Sequence, residues 1–185
     1  MVPCKECHRK DKPGYNPEYC KICPGTHCNL TLIEELKKDQ LTKLGNRHFL
    51  KDFLQKYVDY KETYGIIFFD LDNLHTINRK YGYLSGDKYI LEFVRKVQEV
   101  LPENIIFFRI GGDEFLVILL QQIDKDIKNR LKKLEKYATI AYKNWKPQED
   151  DFYMILNELD REIIIKKQKK INPIIRFIKK LLGCR

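Results

Sequence analysis

Apolar positions along this chain follow two periods. Runs rich in Ile, Val and Phe at Gly65 to Phe69, Ile105 to Phe108 and Phe115 to Leu120 predict buried strands, and Tyr137 to Tyr142 predicts a fourth. Helical spacing governs the rest. Phe49, Leu50, Phe53, Leu54, Tyr57 and Val58 mark one face of an amphipathic helix. Tyr89, Ile90, Phe93, Val94 and Val97 mark a second, and Ile127, Leu131 and Leu134 a third. Residues 149–170 read as a last helix ending in Lys166, Lys167, Lys169 and Lys170, broken by Pro173. Upstream, Leu32, Ile33, Leu36, Leu41 and Leu44 lie at roughly helical spacing over residues 30–44. That segment is either a stalk that pairs with another subunit or a connector helix packed on its own domain. The core order is strand, helix, strand, hairpin, strand, helix, strand. It predicts an α+β, ferredoxin-like split βαβ with an antiparallel sheet flanked by helices.

Two acidic positions stand at the strand ends. Gly111-Gly112-Asp113-Glu114 separates the second and third runs. Paired glycines tolerate positive φ and predict a tight hairpin with Asp113 and Glu114 at its tip, where adjacent carboxylates suit a hard divalent cation. The first run ends in Asp70-Leu71-Asp72, and alternation points Asp70 and Asp72 the same way. In the split βαβ topology these strand ends are neighbours, so the acids converge on a site for one or two Mg²⁺ ions. Asn78 and Asp87 follow in a predicted loop with Gly82 and Gly86. An amide and a carboxylate both pair with a base edge, although Asp87 equally suits the cap of the helix beginning beside it. Metal carboxylates beside a base-reading loop suggest phosphoryl transfer on a nucleotide.

Composition bounds this picture. With 185 residues, 43% hydrophobic and 33% charged, the chain is globular rather than disordered, and fits one domain plus small appendages. The net charge of +9 admits nucleic acid, anionic lipid or phosphate ligands. No long basic block appears, so lysines spread over solvated faces are the plainer reading. The start is polar without a secretory pattern, and no apolar run approaches the roughly 20 residues of a membrane-spanning helix. These features predict a cytoplasmic protein whose six cysteines are metal ligands or free thiols. Residues 1–29 form a separate unit. Cys4-x-x-Cys7 and Cys20-x-x-Cys23 are two knuckles, with His8, His27 and Cys28 beside them. Two such turns complete a tetrahedral thiolate site, for which Zn²⁺ is the first choice and an iron–sulfur cluster the second. Six residues compete for four positions. Cys4-x-x-Cys7-His8 also matches the haem attachment pattern, which requires export. Residues 171–185 carry Ile174, Ile175, Ile178, Leu181 and Leu182 on one face with Arg176, Lys179 and Lys180 beside them. This basic amphipathic tail suits a membrane surface, a partner, or docking on its own domain.

Four stretches occur in a defined order: Asp39-x-Leu41-Thr42-x-Leu44-x-Asn46-Arg47, Asp70-Leu71-Asp72-x-Leu74-x-x-Ile77-Asn78, Gly82-x-x-x-Gly86-Asp87 and Arg109-x-Gly111-Gly112-Asp113-Glu114-Phe115. In this combination the chain resembles a GGDEF domain of the diguanylate cyclase family over roughly residues 36–170. The Cys-rich start (residues 1–29) and the tail lie outside the match. The resemblance implies the palm-type GGDEF fold for residues 30–170, with a leading connector helix. It implies a homodimer that joins two GTP molecules into cyclic di-GMP, each 3′-hydroxyl attacking the α-phosphate of the other. Asp70, the Leu71 carbonyl and Asp113 would hold Mg²⁺ (or Mn²⁺). Asp113 or Glu114 would help deprotonate the hydroxyl. Asn78 and Asp87 would read guanine, and Lys167 falls near the family's triphosphate-binding lysine.

The chain also departs from the family pattern. His75 stands where a lysine, a permanent cation, usually lies near the phosphates. Arg79 replaces the usual Asp, and Tyr83 replaces a usual His in the substrate-binding stretch. The strand at Tyr137 to Tyr142 lacks Ser-x-Gly. Pro102 and Ile105 stand at the Arg-x-x-Asp product-inhibition positions, so feedback through that site does not carry over. Three readings follow: an active cyclase, a degenerate domain that senses GTP or cyclic di-GMP, and a zinc-dependent nucleic-acid-binding protein. The joint presence of the metal carboxylates and base-reading residues favours the first.

Overall fold

The computed structural model describes residues 35–181, with side-chain surroundings described through Lys170. The Cys knuckles and their Zn²⁺ site therefore lie outside the described residues, as do residues 30–34 and the last four. The elements run α1 (Arg47–Lys56), β1 (Tyr64–Leu71), α2 (Leu74–Tyr81), α3 (Tyr83–Val100), β2 (Ile105–Arg109), β3 (Glu114–Leu119), α4 (Lys125–Lys132), β4 (Ala138–Trp145) and α5 (Phe152–Leu181). The strands form one sheet in the order β2-β3-β1-β4, with every pairing antiparallel. This is the split βαβ arrangement that the element order predicts.

The sheet is buried on both faces, which is why its strands read as continuous apolar runs. Strand alternation divides the side chains. Ile67, Phe69, Leu71, Phe115, Val117 and Leu119 pack with Ile90, Phe93, Val94 and Val97 of α3 and with Ile127 and Leu131 of α4. Ile66, Phe68, Leu116 and Ile118 pack on the other face with Leu50 and Phe53 of α1 and with Phe152, Ile155, Leu159 and Ile163 of α5. Phe93 stands edge-on to both Phe69 and Phe115, locking α3 onto the centre of the sheet.

Several expectations are corrected. Glu35 and Leu36 are helical, and beyond them the segment through Leu41 and Leu44 is a turn rather than a continuation of that helix. Thr42 donates from its backbone N–H and hydroxyl to Asp39 Oδ1 at 2.8 and 2.7 Å, and Lys43 takes φ +59°. An Asx-type turn competes with helix wherever Asp is followed by Thr in this way. Leu36 and Tyr57, assigned to apolar faces, are exposed. Asn78, Gly86 and Asp87 lie on helices, and only Gly82, at φ +83°, breaks between α2 and α3. Asp87 is the fifth residue of α3, which removes its capping role. Helix α5 runs through Pro173 to Leu181, so no break separates the last helix from the start of the tail. A proline there removes one backbone donor, a local loss that the turns on either side absorb. No described helix is long and apolar enough to cross a membrane.

Candidate functional site

The acids meet where β1 ends against the β2–β3 hairpin. Asp70 is the register partner of Glu114 on β3 and of Thr139 on β4. Asp70 and Glu114 are both even-numbered positions on strands whose even residues face α1 and α5, so both carboxylates open toward that layer. Leu71 N–H donates to the Asp113 carbonyl at 2.8 Å, tying the end of β1 directly to the hairpin tip. Asp70 and Asp72 point the same way, as alternation predicts, because both reach α5. Lys167 Nζ pairs with Asp70 Oδ1, and Lys170 Nζ pairs with Asp72 Oδ2 at 2.8 Å. Thr139, the one buried polar side chain among the described residues, donates its hydroxyl to Asp72 Oδ1 at 2.8 Å.

These carboxylates repel one another in a partly dry setting. Burial raises the Asp70 carboxyl above its ordinary range; Lys167 opposes the shift, while Asp113 and Asp72 add to it. Burial also raises Glu114, with Arg47 opposing and Asp113, Asp70 and Asp160 adding. Crowded acids of this kind suit a hard divalent cation. Among the described residues no group of three or more His, Cys, Asp or Glu side chains is arranged as a preformed cluster. Asp70, Asp113 and the Leu71 carbonyl would therefore hold Mg²⁺ or Mn²⁺ only as part of a shell that substrate phosphates and water complete, which is how Mg²⁺ is usually bound.

The hairpin owes its shape to contact rather than to positive φ. Gly82 is the one described glycine at positive φ, so the expectation for Gly111 and Gly112 is corrected. A Cβ on Gly111 would lie 2.3 Å from Glu114 Oε2 and 3.0 Å from Glu114 Cβ, so the glycine leaves room for the glutamate to fold back over the turn. Ile110 and Gly111 N–H both donate to the Glu114 carbonyl, at 3.0 and 3.3 Å. Arg109 then braces the tip. Its guanidinium donates to the Gly112 carbonyl at 2.7 Å and to Asp39 Oδ1 at 3.1 Å. Arg47 donates to the Ile110 carbonyl and sits 3.4 Å from Glu114 Oε2. Asn46 caps α1 by accepting from the N–H groups of His48 and Phe49, which fixes Arg47 at the first turn. Asp39, Asn46 and Arg47 were visible in the sequence as a motif, but their task of holding the hairpin was not. No local pattern announces contacts between residues more than sixty positions apart.

Asn78 and Asp87, the pair expected to read a base, occupy the α2–α3 corner, with Asn78 one helical turn beyond Leu74. Asn78 Oδ1 is buried and has no hydrogen-bond partner among the described residues. A Cβ on Gly86 would stand 1.8 Å from that oxygen, so the bare glycine is what admits the amide. Asp87 follows at the next position and is half-buried. A buried acceptor without a donor costs stability unless a ligand supplies one. Tyr83, at the first position of α3, is 80% exposed. His75 is exposed near the start of α2. The structure thus brings together Asp70, Asp113, Glu114 and Lys167, and separately Asn78 and Gly86 with Asp87 beside them.

A model of the family described as "Diguanylate cyclase, GGDEF domain" matches residues 36–157, and the chain belongs to that family. The diguanylate cyclase DgcS of Shewanella oneidensis is 39% identical over 85 residues, which cover 44% of this chain and 29% of DgcS. The diguanylate cyclase DgcP of Escherichia coli is 30% identical over 120 residues, 62% of this chain and 35% of DgcP. The chain thus spans about a third of the length of these curated relatives. The coiled-coil and GGDEF segment of DgcB from Caulobacter crescentus, solved in complex with c-di-GMP, superposes with a TM-score of 0.66 at 17% identity, over 75% of this chain and 84% of that one. That likeness supports the fold.

Proposed function

We propose that this chain is a diguanylate cyclase, condensing two GTP molecules into cyclic di-GMP as a homodimer. The observation that carries the reading is the meeting of Asp70 and Glu114 as register partners, with the Asp113 carbonyl hydrogen-bonded to Leu71 N–H; a buried amide with a free acceptor, at the separate α2–α3 corner, supports it. Asp70, the Leu71 carbonyl and Asp113 hold the metal. A bound Mg²⁺ or Mn²⁺ offsets phosphate charge and favours the ionised 3′-hydroxyl. Glu114, whose carboxyl burial raises above its ordinary range, takes the hydroxyl proton, with Asp113 the other acid in reach. Asn78 Oδ1 accepts from the guanine edge, and Asp87 accepts from its ring N–H and amino group. Lys167, on the face of α5 that meets Asp70, binds the triphosphate, with His75 and Tyr83 at the exposed rim. The membership of the family and the diguanylate cyclase names of DgcS and DgcP support the same activity.

The test is incubation of the purified chain, at several concentrations, with GTP and Mg²⁺, beside an Asp113→Ala, Glu114→Ala double variant. The expected outcome is cyclic di-GMP from the parent alone, at a rate rising faster than protein concentration. A second reading, nucleotide binding without turnover, is favoured by one observation: Asp70 is already neutralised by Lys167. GTP binding with no product would select it. Residues 1–29 are proposed as a separate thiolate unit for Zn²⁺ through Cys4, Cys7, Cys20 and Cys23. Elemental analysis tests it, and a well-behaved protein free of zinc and iron would refute it. The nucleic-acid reading is weakened by the many lysines that pair with acids on the surface, among them Lys37 with Asp52, Lys143 with Glu158 and Lys166 with Glu162.

A further inference from the structure

Two lysines one helical turn apart on α5 reach the two aspartates at the end of β1, yet their settings differ. Lys170 Nζ sits in a closed triangle: 2.8 Å from Asp72 Oδ2 and 2.9 Å from Thr139 Oγ1, while Thr139 donates to Asp72 Oδ1 at 2.8 Å. Asp72 N–H also donates to the Tyr137 carbonyl at 2.9 Å. Both carboxylate oxygens and the N–H of Asp72 are thus committed to joining the end of β1, the start of β4 and α5. Among the described residues Asp70 has a single side-chain partner, the ammonium of Lys167. Exposure does not separate the pairs, at 34% and 18% for Lys167 and Asp70 against 50% and 20% for Lys170 and Asp72; the difference is that Lys170 is held by Asp72 and Thr139 together, whereas Lys167 bonds Asp70 alone.

We propose that Lys167 is an exchangeable internal counterion: it occupies Asp70 until a divalent cation displaces it, and Lys170 is the fixed pin that keeps α5 in place during the exchange. The inference deepens the metal site proposed above and rests on that reading of Asp70. The physical need for such a counterion is plain. Asp70 lies against Asp113 and Asp72 in a partly desolvated site, and an unpaired carboxylate there is costly. A lysine is a compact point charge on a flexible stem, able to neutralise the acid without filling a rigid bidentate site. Once the cation takes Asp70, the freed ammonium carries one positive charge to the phosphates arriving with it. Lys167 therefore opposes metal that comes alone and assists metal that comes with a triphosphate. The site discriminates against empty metal loading by the same residue that favours the metal–nucleotide complex.

The sign of the effect makes the proposal testable. Mn²⁺ binding to the 185-residue chain is followed by electron paramagnetic resonance at pH 8, without nucleotide and then with a non-hydrolysable GTP analogue. The variants are Lys167→Met, Lys167→Gln, Lys170→Met, Lys166→Met and Asp70→Asn. Lys166, which donates to the Ile140 carbonyl at 2.6 Å and pairs with Glu162, removes the same charge one residue away without touching Asp70. Expected without nucleotide is a gain of about tenfold in Mn²⁺ affinity for both Lys167 variants. Lys166→Met should gain less than about twofold, as a long-range and screened charge does. With the analogue, the two Lys167 variants should bind Mn²⁺ more weakly than the parent. Lys170→Met should show no gain in either state, and Asp70→Asn should lose the site. Equal gains for Lys166→Met and Lys167→Met would reduce the effect to bulk charge and overturn the proposal. So would Mn²⁺ affinity in Lys167→Met at or below that of the parent, or Mn²⁺ retained by Asp70→Asn. A parent that binds Mn²⁺ in this pattern yet makes no cyclic di-GMP would sink the cyclase reading while leaving the counterion exchange standing.

Discussion

A methyl group at Gly86 would collide with the oxygen of Asn78 at 1.8 Å, and the side chain, not the helix backbone, is what can yield. Gly86→Ala therefore separates folding from recognition. The variant should melt within a few degrees of the parent, because alanine is also about 1 kcal/mol better than glycine inside a helix. Its GTP affinity should fall roughly tenfold as the amide is pushed aside. Isothermal titration beside a thermal melt checks both. Equal loss of stability and binding would show that Gly86 serves packing alone. Gly111 makes a parallel case. Gly111→Ala drives Glu114 off its place over the turn, and should lower kcat by roughly 10²-fold while leaving the GTP affinity within about twofold.

Elements are held to one another here by the turn before α1. Gly45 accepts from Arg109 N–H at 2.8 Å and donates to the Phe107 carbonyl at 3.1 Å, so the turn runs along β2 as an extra edge. Asp39 pairs with Arg109 at 3.1 Å with both side chains largely buried. Burial pushes the Asp39 carboxyl up, but the hydrogen bonds from Thr42 and the Arg109 charge outweigh it and hold the group below its ordinary 3.8. A carboxyl lowered on folding adds stability at neutral pH, and that stability is lost as pH falls below the unfolded value through the folded one. Asp39→Asn should thus cost about 1–3 kcal/mol at pH 7, and parent and variant should converge as pH drops below about 4. Urea melts at pH 7 and pH 3.5 read this directly; a gap that stays constant with pH would remove the ion pair from the account. The same variant should lower the proposed activity at neutral pH, since Arg109 braces the Gly112 carbonyl at the hairpin tip.

For the whole molecule, the buried residues of both described cores lie between Leu50 and Ile163. A chelator that strips residues 1–29 should therefore leave the melting temperature of the sheet domain within a few degrees, while any metal bound to the thiolates appears in the released fraction. A large fall in the main transition would mean that the Cys-rich unit is part of the domain's stability. The charge of +9 belongs to this scale too. Surface pairs such as Arg95 with Glu99 and Lys96 with Glu99 are exposed and each add little, so the excess acts through the field around the molecule, drawing anionic nucleotides toward it.

The sequence by itself determined the class of fold. Apolar runs with Gly111-Gly112 between two of them, and the helical stripes at Phe93 and Leu131, name strands and helices because burial on two faces demands those residues locally. It also marked Asp70, Asp113, Glu114, Asn78 and Asp87, since short motifs record chemistry residue by residue. Other features became visible only in the structure, some of them local and some tertiary. Asp39 and Leu44 share a motif, but the Thr42 hydroxyl on Asp39 turned a helical spacing into a tight turn. Pro173 promised a helix end that the backbone of α5 passed through. The positive φ assigned to Gly111 gave way to a close approach by Glu114. Above all, the pairing of Lys167 with Asp70 and of Lys170 with Asp72 joins residues nearly a hundred positions apart. Sequence patterns report the period and the local chemistry of a segment. Which charge neutralises which is settled only when the sheet and the helix layer bring distant segments within ångströms, where desolvation makes an unpaired acid costly.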